Sequence, residues 1–144
     1  MRARGFTLIE LLVVLLIIGI ALTVMPSLLS SLPGARLRAA ADGMAGTLRE
    51  LRAQAIGTGR STALVLDTTT RSYATLPDGA RHTLPEVVNG IDVRPEIPSP
   101  VGGAGLFRFF PDGTATGGVI TLRHDSRAAS IGVAWLTGRV RRLD

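Results

Sequence analysis

One carboxylate, Glu10, stands inside an otherwise apolar run and just downstream of a small-residue junction, Gly5-Phe6. From Phe6 to Met25 the only polar side chains are Thr7, Glu10 and Thr23. As a helix this run spans about 30 Å, roughly the hydrocarbon core of a bilayer. An ionised acid there costs on the order of 2 to 3 kcal/mol or more unless a counter-charge meets it. The chemistry expected of Glu10 is therefore ion pairing, with an amine as the natural partner.

Elsewhere the residue types argue against catalysis. There is no cysteine, which removes disulfides, thiolate metal sites and thiol nucleophiles. His82 and His124 lie far apart in sequence, without a nucleophile–base–orienter pattern around either. Asp112, Asp125 and the two histidines have none of the usual metal-ligand spacings, so neither a metal nor a cofactor is expected. The glycines at 102, 103 and 105 precede no helix that would cradle a phosphate. All 16 basic residues are arginines, and the formal net charge is +5. Arg139, Arg141 and Arg142 crowd the C-terminus, with Arg123 and Arg127 upstream. Two readings stay open for them: a phosphate-contacting stripe, or a solvated edge strand guarded against unwanted pairing.

The elements that must position these groups follow from periodicity. Pro26 should kink or loosen the apolar helix, and Pro33-Gly34 marks a second break. Leu37, Ala41, Met44, Leu48, Leu51 and Ala55 then recur at alternating spacings of four and three, one apolar face of an amphipathic helix over about 35–57. Gly57 and Gly59 end it. Strands are expected over 61–67, 71–76 and 80–84, with a weaker one near 87–93 inside a proline- and glycine-rich connection that spans 85–105. A run of short strands over 106–110, 119–123, 129–135 and 139–143 reads as an antiparallel meander.

The Gly5/Phe6 junction, with Arg2 and Arg4 before it and Glu10 after it, resembles the processing site of the type IV pilin and pseudopilin family. Two further stretches, Phe109-Phe110-Pro111-Asp112-Gly113-Thr114-Ala115-Thr116-Gly117-Gly118 and Trp135-Leu136-Thr137-Gly138-Arg139-Val140, resemble the C-terminal domain of H-type minor pseudopilins of type II secretion systems. An ordinary secretory signal is the competing outline, but a discarded apolar region is shorter and has no use for a glutamate.

The resemblance implies an α+β, pilin-like fold. In it a long N-terminal helix, membrane half plus amphipathic half, packs on antiparallel β-sheets of a C-terminal head. It implies a leader over 1–5, a transmembrane and filament-core helix over 6–33, and a periplasmic head over 34–144, β-rich from 61. A prepilin peptidase would cut after Gly5 and N-methylate Phe6, a modification that keeps the amine's charge. Glu10 lies four residues from Phe6, on the same helix face, so its carboxylate would neutralise the terminal ammonium of a neighbouring subunit. The implied role is structural: a single-pass inner-membrane protein, built with other pseudopilin subunits into the type II secretion pseudopilus. The alternative is a minor pilin that binds DNA through Arg139, Arg141 and Arg142, because Gly138-Arg139-Val140-Arg141 also resembles a motif of a DNA-uptake minor pilin. Asp112 and the glycines around it are read as turn formers.

Overall fold

The computed structural model describes residues 8–30, 33–96 and 104–143, and within the first helix the side chains of 8–20. Helix α1 (Leu8–Ser30) continues through Pro26. Helix α2 (Pro33–Thr58) opens on a proline, whose missing N–H costs nothing in a first turn. Gly59 follows its last residue with φ +66, the left-handed stop of a helix C-terminus. Every position of the sequence-derived apolar face of α2 is buried, and Ala45 joins them.

Eight strands follow: β1 (Thr62–Asp67), β2 (Ser72–Leu76), β3 (Arg81–Thr83), β4 (Gly90–Pro95), β5 (Ala104–Phe109), β6 (Gly118–His124), β7 (Arg127–Val133) and β8 (Val140–Leu143). They form two antiparallel four-stranded sheets, ordered β3-β2-β1-β5 and β4-β6-β7-β8. Only β6, β7 and β8 make the expected meander. β5 leaves it and pairs with β1, setting Phe107 opposite Leu64 and Phe109 opposite Thr62. The reason is the shared core: Phe107, Phe109, Leu64 and Leu66 are fully buried and point to the same side as Thr62, whose hydroxyl donates to the Leu51 carbonyl of α2 at 2.8 Å. β4 in turn lies against β6, with Gly90 opposite Arg123 and Pro95 opposite Gly118.

Helix α2 packs on β1 of the first sheet and on β6, β7 and β8 of the second. Leu37, Met44 and Leu48 meet Ile120, Leu122, Ile131 and Val133 in one continuous cluster. Each such leucine or isoleucine contributes roughly 1.5 to 3 kcal/mol by leaving water. The chain from β1 to β8 runs back and forth along α2, so turns collect at two ends. The loops 110–117 and 134–139 gather at the C-terminal end of α2, and the turns 68–71 and 125–126 at the other.

Candidate functional site

Glu10 sits in the first turn of α1, where an acid complements the helix dipole. The side chains around it are unlike those of a soluble helix: the large apolar residues from Leu8 to Ile20 are 45% to 84% exposed. An exposed apolar surface of this extent is a contact surface for lipid or protein. Among the described residues no helix is long and apolar enough to cross a membrane; the side chains described in α1 end at Ile20, which covers the expected 6–33 segment only in part. Gly5 and Phe6 lie outside the described residues, as do Pro98, Pro100, Gly102 and Gly103 of the proline- and glycine-rich connection.

The three C-terminal arginines do not all share one face. β8 begins at Val140, and alternation along it sends Val140 and Arg142 toward α2 and Arg141 to the opposite face. Arg142 Nη1 donates to both carboxylate oxygens of Asp42 at 3.2 Å, tying the last strand to the helix across a hundred residues of sequence. Arg139 precedes the strand, in the loop. The arrangement takes Arg142 away to the helix side, while Arg139 and Arg141 line one depression.

The two motif stretches, by contrast, are brought into contact. In the 110–117 loop, Asp112 Oδ1 accepts from the Thr114 amide at 2.9 Å and from the Thr114 hydroxyl at 2.7 Å. These bonds, the side-chain one foremost, hold the Asp112 carboxyl below its ordinary value. The turn closes with Gly113 N–H on the Phe110 carbonyl at 2.9 Å. In the 134–139 loop, Gly138 N–H donates to the Ala134 carbonyl at 2.8 Å and Ala134 N–H to the Arg139 carbonyl at 3.0 Å. Ala115 N–H, donating to the Trp135 carbonyl at 2.8 Å, joins the loops. Asp112 is thus a turn former, as its sequence context implies.

Between the loops lies Arg52 of α2. Its Nε donates to the Thr137 carbonyl at 3.1 Å, and its Nη2 lies where a Cβ on Gly113 would be 3.3 Å away. Arg52 is not among the apolar positions that mark α2 in the sequence. The signal was available: position 52 is four residues from Leu48 and one from Leu51, on the boundary of the buried stripe. Trp135 and Leu136 in the 134–139 loop are 49% and 62% exposed, and Ile56 near Gly113 is 46% exposed.

The histidines stay apart. His82 stacks on Tyr73 with ring centroids 5.0 Å apart. His124 lies by Asp125, 3.6 Å from Nε2 to Oδ2, and Asp125 also accepts from Asn89 at 3.0 Å.

Comparison with known proteins agrees with this geometry. Residues 1–26 match the family model of the prokaryotic N-terminal methylation motif, and residues 40–137 match that of type II transport protein GspH. The chain is 32% identical over 141 residues to type II secretion system protein H of Xanthomonas campestris pv. campestris, covering 97% of this chain and 83% of that protein. Its fold is similar to that of the minor pseudopilin EpsH from the type 2 secretion system of Vibrio cholerae, with TM-score 0.60, 17% identity, and coverage of 75% of this chain and 96% of the other. It is also similar to the type IV minor pilin FimU of Pseudomonas aeruginosa, with TM-score 0.57, 13% identity, and coverage of 75% and 88%.

Proposed function

Because the chain belongs to the family of type II transport protein GspH, we propose that it is a minor pseudopilin, a structural subunit of the type II secretion pseudopilus that supports protein secretion without catalysing a reaction. The observation that carries this reading is the pairing of two matches on one chain. An N-terminal methylation motif leads into an exposed apolar helix, and a head of the matching family follows. In this reading the leader ends at Gly5, prepilin peptidase removes it and methylates Phe6, and residues 6–33 hold the protein in the inner membrane. The head, from residue 34, lies in the periplasm.

Assembly follows from charge. In hydrocarbon the Glu10 carboxylate and a neighbour's Phe6 ammonium are each costly, and as a pair each satisfies the other. Glu10 then acts as a register device, since only one axial offset between neighbouring α1 helices joins the two charges. The partners are other pseudopilins, which contact the exposed face of α1 and the surface of the head. The DNA-binding reading finds no support in the comparisons, and Arg142 is held by Asp42 on the helix side of its strand.

The test is Glu10→Ala in the full chain. Membrane insertion and leader removal stay intact, while co-purification with partner subunits and secretion fall sharply. Normal assembly by this variant would refute the pairing. N-terminal sequencing of the mature protein supplies the companion check, with Phe6 expected as the first residue.

A further inference from the structure

The face of the β4-β6-β7-β8 sheet turned away from α2 carries a row of residues that filament assembly through α1 leaves unused. Arg94, Val119, Gly132 and Arg141 stand opposite one another in register on the four successive strands. Three inter-strand steps of about 4.8 Å set the two arginine Cα atoms roughly 14 Å apart. The middle of the row is low and apolar: Val119 is half-buried, and Gly132 has no side chain, leaving Leu143 to lean over it so that a Cβ there would lie 3.1 Å from Leu143 Cδ1. The result is a trough of about 1220 Å³ whose lining extends past β8 to Arg49 of α2.

Its charge is one-sided. Five arginines line it, at positions 49, 52, 94, 139 and 141, against a single carboxylate, Glu96. Arg52 is engaged with Thr137, and Arg94 Nε rests 3.4 Å from an Asp92 oxygen. Arg49, Arg139 and Arg141 make no ion pair among the described residues. Cations that bracket an apolar depression suit a ligand with charge at its ends and an apolar centre.

We propose that this trough receives an extended acidic segment of a neighbouring subunit, in which two carboxylates four residues apart bracket small apolar side chains. An extended chain advances about 3.3 Å per residue, so four residues cover roughly 13 Å, close to the span between the arginines. Guanidinium forks then take the carboxylates and the floor takes the side chain between them. The proposal rests on the filament-subunit reading for the identity of the partner.

The test uses the full chain in detergent micelles. Its sole tryptophan, Trp135, adjoins the lining residue Ala134 and reports binding by fluorescence. The probe is a blocked Asp-Ala-Leu-Ala-Asp peptide, titrated to the millimolar range beside an Asn-Ala-Leu-Ala-Asn control and a short DNA duplex. Saturable binding of the acidic peptide is expected, weaker as salt rises and absent for the control. Arg94→Gln and Arg141→Gln should each lower it about two- to fivefold without shifting the melting temperature. Gly132→Val, which fills the trough, should remove it. Equal binding of the control, unchanged binding by the doubly substituted arginine variant, no binding at all, or tighter binding of the duplex would each overturn the proposal. Because the readout needs no filament, a chain that assembles normally without binding the peptide defeats this inference alone. One that binds the peptide yet never assembles defeats the assembly reading alone.

Discussion

Gly138 and Gly59 share a backbone conformation and differ in surroundings, which makes them a matched pair for measuring how tightly the two motif loops are locked to α2. Their φ angles are +58 and +66, so alanine at either pays about 1 to 2 kcal/mol for the left-handed region. At Gly59 that is the whole cost, because an added Cβ meets nothing within 4 Å. At Gly138 the added Cβ collides with the Gly113 carbonyl oxygen and lies 2.8 Å from Arg52 Nε. Neither neighbour yields easily. Arg52 Nε is committed to the Thr137 carbonyl at 3.1 Å, a bond worth about 1 kcal/mol, and the Gly113 carbonyl is backbone in a hydrogen-bonded turn, where overpacking costs roughly 1 to 3 kcal/mol. Gly138→Ala should therefore lose about 3 to 6 kcal/mol, a large share of the roughly 5 to 15 available to a domain, against about 1 to 2 for Gly59→Ala. Urea unfolding of the full chain in mild detergent, followed through Trp135, reads the difference as a lower midpoint at unchanged slope. Asparagine, which tolerates the left-handed region, should rescue position 59 and not position 138. Equal losses at the two sites would refute the packing argument and leave only backbone strain.

Three further outcomes follow from the core and its edges. Leu48 of α2 is fully buried in the core cluster, so Leu48→Ala should cost about 2 to 5 kcal/mol in the same unfolding assay. Thr62→Val removes the buried bond to the Leu51 carbonyl at nearly constant volume and should cost about 1 kcal/mol. Hydrogen bonds from Thr70 and Thr69 hold the Asp67 carboxyl below its ordinary value, as Thr114 does for Asp112. With the folded-state value below the unfolded one, each acid's contribution is complete above the unfolded value, near pH 4, and fades as pH falls through the lower folded value. Stability should begin to decline below about pH 4, and Asp112→Asn should make that decline shallower.

The sheet partition shows why short strands are easier to locate than to pair. The segments around 61–67, 71–76, 119–123 and 129–135 are marked by alternation and by turn residues beside them, and β1, β2, β6 and β7 lie there within two residues at each end. Nothing in residues 104–110 announces that they belong beside β1, some forty positions earlier. Their partner is selected by Phe107 and Phe109, which need the same face of α2 as Leu64 and Leu66. The weak strand expected near 87–93 is displaced to Gly90–Pro95 because it pairs with β6, with Ile91 opposite Leu122 and Val93 opposite Ile120.

Local patterns alone determine that the chain begins with an apolar stem carrying a lone acid, continues as an amphipathic helix, and ends in short strands separated by glycine and aspartate turns. Each of these properties is written in residues within a turn or two of one another, so no distant contact is needed to read it. Only the tertiary structure decides that Arg142 turns back to Asp42 while Arg141 faces away, that Arg52 joins two loops, and that Arg94 and Arg141 bracket one trough. Those outcomes depend on strand register, and a shift of one residue would exchange the faces of every side chain in β8. Register is settled by which apolar faces close together over α2, a choice made by the whole core at once.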